Sequence, residues 1–245
     1  MQYINQPLVS KIRQKFCNVN TCPISGDRIF FENAGGALTL KSALETTTKF
    51  ASIPDNQGRD NLASQALNDI IKNAKTDLSE LFNTKSGEFF MGESGTELLF
   101  RLIRNAVVAS PSGGSVVGTS LEHPASRSAA KKWSNEMDYT YLSVPHSVET
   151  GTVNPKNYAD KISDTTRVVT IVHASPVTGM GTKIKEISKI VRQKAPLAFI
   201  IVDGIQHAAH GGIDIESYDI DGYVCLLYTS PSPRDVEESR MPSSA

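Results

Sequence analysis

The longest unbroken apolar run is the six residues from Leu197 to Val202. A helix that crosses a bilayer needs about 20 such residues, so no segment reads as a membrane span. Cysteine is scarce: Cys17, Cys22 and Cys225 in 245 residues are too few and too scattered for a disulfide framework or a zinc finger. They read as reduced thiols of a cytoplasmic protein, with an organelle as the other compartment. Charge of one sign is missing as well. Lys and Arg number 25 against 26 for Asp and Glu, a net charge of −1. That balance argues against a main task of electrostatic attachment to nucleic acid or an anionic membrane. Residues 1–15 carry basic side chains but no apolar core, so no secretory signal is expected. There is no internal repeat and no sustained heptad pattern. What remains is an ordinary globular composition, 39% hydrophobic and 21% charged, in a chain long enough to bury a real core.

Short β-branched runs alternate with helical segments. From Asn61 to Phe82, the residues Leu67, Ile70, Ile71, Ala74, Leu78, Leu81 and Phe82 recur at spacings of three and four, one face of a helix. Glu88 to Met91 is a strand candidate ending at Gly92. Thr96 to Ala109 is again helical, with Leu99, Leu102, Ile103, Ala106 and Val107 on one stripe, stopped by Pro111, Gly113 and Gly114. Ser115–Gly118 is the next strand and Pro124–Met137 a helix opened by proline. Tyr139–Val144 alternates like a strand, and Pro155–Ile162 reads as a short helix. Arg167–Ala174 is a buried strand, Lys183–Lys194 a helix, and Leu197–Asp203 the most apolar strand. Strands separated by helices imply βαβ units, hence a mostly parallel sheet with helices on both faces: an α/β, three-layer α/β/α domain.

Thr229 to Ala245 breaks this rhythm, with five serines, three prolines and no apolar period. Such a segment cannot bury enough surface to offset its ordering entropy. A natural disordered tail is one reading. The run CLLYTSPSPRD also resembles translated read-through at the end of a transcript, in which case the encoded protein is cut off near Val224 and the tail is not native.

In α/β sheets, ligands gather beyond the carboxyl ends of the strands. Ser94, Gly95 and Thr96 sit between a strand candidate and a helix, where free N–H groups, two hydroxyls and the positive end of a helix dipole suit a phosphate. The same residues also suit plain helix capping. GESG is one residue short of the G-x-S-x-G nucleophile elbow, which leaves Ser94 as a hydrolase nucleophile as a weaker reading. Glu122 and His123 follow the strand Ser115–Gly118; His173 and Ser175 close the next buried strand. Asp203 ends the most apolar strand and is followed by Gly204, Gln206, His207 and His210. Asp203, His207 and His210 read alternatively as metal ligands, although a glycine-rich turn does not fix both imidazoles on one face. His146 has no companion motif and reads as a hydrogen-bonded loop histidine.

Five motifs occur in order: FENAGGA (residues 31–37), GESGTE (92–97), EHPAS (122–126), HASPVTG (173–179) and VDGIQHAAHGGIDI (202–215). Together they resemble the class V aminotransferase family, in its cysteine desulfurase-like branch, over most of residues 30–223. The resemblance implies the pyridoxal-phosphate-dependent transferase fold of type I and the cofactor pyridoxal 5′-phosphate. The protonated pyridine nitrogen of this cofactor draws in the charge left when a bond to the substrate's α-carbon breaks. Asp203 matches the aspartate that keeps that nitrogen protonated. Gln206 matches the residue that hydrogen-bonds the phenolic oxygen, and His123 the one that stacks on the ring. Ser94, Gly95 and Thr96 match the phosphate-binding turn, and Asn33 lies in the turn that faces the substrate. No metal is implied.

Two departures from the family pattern stand out. Relatives usually carry an asparagine where Pro176 stands, so one cofactor contact is expected to be lost or taken over by Ser175. The family's Schiff-base lysine follows the aspartate block, whereas Tyr228 here is followed by Thr229 and no lysine occurs after Lys194. A lysine amine holds the aldehyde and carries the α-proton, and threonine does neither.

The expected layout is an N-terminal arm at residues 1–26, a truncated cofactor-binding large domain at 27–224, and a disordered tail at 225–245. The intact protein is expected to transform a small amino acid, with sulfur removal from cysteine first and transamination or lyase chemistry second. It is expected to work as a homodimer, with no nucleic acid or membrane as partner; the chain as written is expected to be inactive. Cys225 at the damaged junction is not taken as a sulfur acceptor, and Cys17 and Cys22 are taken as packing or surface thiols. A non-catalytic binding remnant and a metal or serine hydrolase are the readings from other classes.

Overall fold

The computed structural model describes residues 5–31, 38–53 and 58–226. These form two compact units, the first ending at Thr76 and the second beginning at Asp77. The first contains α1 (Gln6–Arg13), a two-stranded antiparallel pair of β1 (Thr21–Cys22) and β2 (Gly26–Asp27), α2 (Lys41–Ala51) and most of α3 (Leu62–Leu81). Asn61 opens α3 by accepting the Ser64 N–H on its side-chain oxygen at 2.9 Å, satisfying one of the helix's free donors. Among the described residues of this unit, Ser64 alone is buried.

The second unit carries the core. Its elements are α4 (Gly95–Ala109), β3 (Ser115–Thr119), α5 (Pro124–Glu136), β4 (Thr140–Val144), α6 (Pro155–Ala159), β5 (Thr166–Val172), α7 (Ile184–Lys194), β6 (Phe199–Asp203), α8 (Ile215–Tyr218) and β7 (Gly222–Val224). The five strands pair in the order β4-β3-β5-β6-β7, all parallel. Alternation sends Val116, Val168 and Ile201 to one face, against Leu99, Ile103 and Val107 of α4 and Ala125, Ala129 and Ala130 of α5. Val117, Val169, Ile171, Ile200 and Val202 go to the other, against Tyr158 of α6 and Ile184, Ile187 and Val191 of α7. Each of the valines, leucines and isoleucines, once enclosed, contributes about 1.5–3 kcal/mol. Helices therefore cover both faces, as the alternating pattern predicts.

The chain steps from β3 outward to β4, then returns across β3 to lay down β5. In α/β sheets such a reversal is where the crevice beyond the carboxyl ends of the strands, here β3 and β5, binds ligands. One expected strand is absent. Glu88–Met91 runs as irregular backbone, with Phe90 and Met91 about 80% exposed and no ladder partner among the described residues. An apolar run becomes a strand only where a neighbour takes its N–H and C=O groups.

Candidate active site

Every strand of the sheet that ends in polar residues ends at the same edge. Asp203 closes β6, and its side chain is 4% exposed. Its Oδ1 accepts the Ile205 N–H at 3.2 Å, its one hydrogen bond among the described residues, and no lysine or arginine among them pairs with it. Burial pushes its pKa up, while the Ile205 N–H and nearby His123 pull it down. A buried carboxylate with so few partners is an acceptor waiting for a cationic donor.

The start of α4 presses against the same loop. A Cβ on Gly95 would overlap Cδ1 of Ile205, so glycine is what lets helix and loop meet. Ser94 caps the helix by accepting the Glu97 N–H at 3.1 Å, and Glu97 Oε2 in turn accepts the Glu93 N–H at 3.0 Å. The Gly95 and Thr96 N–H groups have no partner among the described residues, leaving two donors at the positive end of a 15-residue helix. The negative charge of Glu97 is matched by Arg101 at 2.7 Å on the exposed side.

His123 stands at the N-cap of α5, half-buried, with Nδ1 accepting the Ala125 N–H at 3.2 Å. That bond places its remaining ring proton on Nε2 when the ring is neutral. The preceding residue, Glu122, is 4% exposed and accepts three hydrogen bonds: from Thr119 Oγ1 (3.2 Å), the Val172 N–H (3.1 Å) and Ser126 Oγ (2.9 Å). Burial and then the charge of Asp203 raise its pKa to about 7. A carboxylate straight after a strand is visible in the sequence; that it spans to β5 is not.

At the end of β5, the His173 N–H donates to the Asp203 carbonyl at 2.8 Å. The His173 ring stacks on His207, centroids 3.5 Å apart, and its Nδ1 lies 2.9 Å from the Tyr223 hydroxyl. Burial and the His207 charge lower its pKa to about 4. Tyr223 reaches this position because Gly204 has no Cβ to obstruct its ring. Nothing in the strand pattern announces the Tyr223–His173 pair.

The remaining candidates are placed as follows. Ser175 is 2% exposed and its Oγ accepts the Val177 and Thr178 N–H groups, each at 3.2 Å. The hydroxyl thus caps its own turn, and Pro176, having no N–H, fits inside it. Gln206 lies half-buried three residues beyond Asp203. His207 donates from Nε2 to the Gly212 carbonyl at 3.2 Å, His210 is exposed, and no cluster of three potential metal ligands forms among the described residues. His146 bonds Ser120 Oγ through Nδ1 at 2.7 Å, the loop arrangement expected of it. Cys17 and Cys22 are partly exposed thiols of the first unit, and hydrogen bonding from Ser25 lowers the Cys22 pKa to about 7. Burial raises the Cys225 pKa to about 11. Asn33, Tyr228, Thr229 and the tail lie outside the described residues. No helix among the described residues is long and apolar enough to cross a membrane.

The family model for aminotransferase class V matches residues 29–225. The cysteine desulfurase-like protein ustD of Aspergillus flavus is 30% identical over 84% of this chain and 48% of its own length. The apo structure of a cysteine desulfurase from Thermococcus onnurineus superposes with a TM-score of 0.79 at 18% identity, over 94% of this chain and 55% of that one. A C-DES variant with glycine covalently linked to its PLP cofactor gives 0.67 at 20% identity, over 80% and 51%. At such identities the two structural likenesses speak to the fold alone: a parallel five-stranded α/β sheet of the type I kind. The chain spans about half the length of the relatives just named.

Proposed function

The chain belongs to the class V aminotransferase family, and from that premise we propose that its strand-end crevice binds pyridoxal 5′-phosphate for the transformation of a small amino acid. Asp203 is the observation that carries this reading. It is a buried, barely partnered carboxylate at a strand tip, two residues before Ile205, whose side chain meets Gly95 at a helix start with two free N–H groups. The residues suit the group. Phosphate needs N–H donors and a positive dipole, which Gly95, Thr96 and the first turn of α4 offer, with the Thr96 hydroxyl beside them. A pyridinium N–H needs an anion, and Asp203 is one whose ionised form gains what burial has cost it. A flat ring needs a flat neighbour, and His123 lies within electrostatic reach of Asp203. Gln206 supplies an amide for the phenolic oxygen, and Ser175 and Asn33 remain the second-rank contacts, to cofactor and substrate respectively.

When bound, the cofactor supplies an electron sink for the bond broken at the substrate's α-carbon. The chain's part is to hold the ring nitrogen protonated through Asp203, to fix the phosphate at α4, and to cover one ring face with His123. No lysine follows Lys194 among these residues, so they are proposed to hold the cofactor through non-covalent contacts. Cysteine is the favoured substrate, because the ustD relative is described as desulfurase-like. A homodimer in the cytoplasm or an organelle, with residues 27–224 as the large domain, completes the proposal.

The test uses pyridoxamine 5′-phosphate, which has no aldehyde and so cannot attach to surface lysines. Calorimetric titration into the chain is expected to show one site, weakened by Asp203→Asn and absent for pyridoxamine lacking the phosphate. Equal affinity with and without the phosphate, or in the Asp203 variant, contradicts the assignment.

A further inference from the structure

Glu122 makes no contact in the reading above, yet it is the most fully partnered carboxylate of the crevice. The reason lies in the sheet. The β3–β5 ladder ends at the Val117–Val169 pair, although both strands run on. His173 turns its N–H towards β6, so the N–H of Val172, one residue earlier, faces the β3 side, where no strand partner remains. Glu122 Oε1 takes that N–H and also the Thr119 hydroxyl, while Oε2 takes the Ser126 hydroxyl in the first turn of α5. One side chain therefore ties the end of β3, the start of α5 and the end of β5 together across the chain reversal. His123 lies between two of these anchors, and its Nδ1 meets the Ala125 N–H.

We propose that Glu122 is a positioning residue: by clasping β3 to β5 it fixes the place and tautomer of the His123 ring that the preceding reading sets on the cofactor. The proposal rests on that reading for its purpose, but its geometry stands alone. Shape matters here more than charge. A carboxamide of the same form keeps its oxygen for Val172 and Thr119 and donates an amide N–H to Ser126, whose hydroxyl then accepts. The titratable groups that face Glu122 are Asp203 from β6, Tyr141 from β4 and Tyr158 from α6, and none of them hydrogen-bonds it.

The experiment compares the full chain with Glu122→Gln, Glu122→Ala and Ser126→Ala. In the unliganded proteins, ¹⁵N NMR reads the His123 tautomer and hydrogen exchange reads the Val172 amide; pyridoxamine 5′-phosphate affinity is the third readout. The wild type and Glu122→Gln are expected to hold one tautomer, with the proton on Nε2, a protected Val172 amide, and affinities within about threefold of each other. Glu122→Ala is expected to mix tautomers, speed Val172 exchange and weaken binding, each by roughly tenfold. Ser126→Ala is expected to fall between and decides the matter if Glu122→Ala does not fold. The proposal is overturned if Glu122→Gln is as damaging as the alanine variant, or if removing the clasp leaves tautomer and exchange unchanged. A wild type that binds no pyridoxamine 5′-phosphate sinks the cofactor reading, while the two unliganded readouts still decide on Glu122.

Discussion

Two strand ends of the sheet, with β5 between them, bury a carboxylate to the same degree and treat it differently. Beyond β3, Glu122 receives three hydrogen bonds; at the tip of β6, Asp203 receives one. Burial alone thus does not distinguish the two acids, because desolvation raises the pKa of both. The count of partners separates them. A folded chain that leaves a buried anion under-partnered is carrying an energetic cost, and such costs concentrate where a ligand completes the set.

The sharpest way to break this comparison is to neutralise each acid. Asp203→Asn should lower affinity for pyridoxamine 5′-phosphate by roughly 100-fold, because truncating one member of a buried charge pair costs about 2–5 kcal/mol. It should also raise the melting temperature of the unliganded chain at neutral pH, since the amide needs no desolvated charge. If Glu122→Gln proved the more damaging to binding, the two roles would have to be exchanged.

Next in size is the pH dependence of stability. Glu122 holds its proton more tightly in the folded chain, at about 7 against an ordinary 4.5. Its stabilising contribution is therefore complete below pH 4.5 and is lost as pH rises through 7. Denaturant titrations should find Glu122→Gln and wild type alike at the acid end. At the alkaline end the variant should be more stable, by on the order of 2–3 kcal/mol. Equal stability at both ends would mean that folding does not shift the Glu122 pKa, and so contradict the effect of its burial.

A smaller effect tests the contact between helix and loop. Gly95→Ala drives a methyl group into Ile205, and overpacking of this kind costs about 1–3 kcal/mol. Affinity should fall along with stability, because the same backbone presents the free N–H groups. Smallest is Ser94→Ala, which removes the cap of α4 at a cost of about 1 kcal/mol. Its melting temperature should drop while the contrast between Asp203 and Glu122 stays intact.

The sequence made the scaffold legible where period and breakers agreed. The helix ending at Ala109, the strand from Ser115 and the strand closing at Asp203 all appear within a residue or two of expectation, because each has an apolar stripe bounded by proline, glycine or a charge. Residues 88–91 misled, since strand formation depends on a neighbour that local pattern cannot supply. The candidate residues that close or follow strands, Asp203 at the end of β6 and His123 at the start of α5 among them, were visible as polar interruptions after apolar runs. The Glu122–Val172 and Tyr223–His173 bonds were not, because each joins residues 50 positions apart through a register that only the folded sheet defines.

Pyridoxamine 5′-phosphate labelled with ¹⁵N at the ring puts the question to Asp203 itself. At an alkaline pH where the free ring nitrogen has lost its proton, the nitrogen bound to wild-type chain should show the shift of a protonated ring, and that bound to Asp203→Asn the shift of a neutral one. A neutral ring nitrogen in the wild type, or a protonated one in both, would contradict the account.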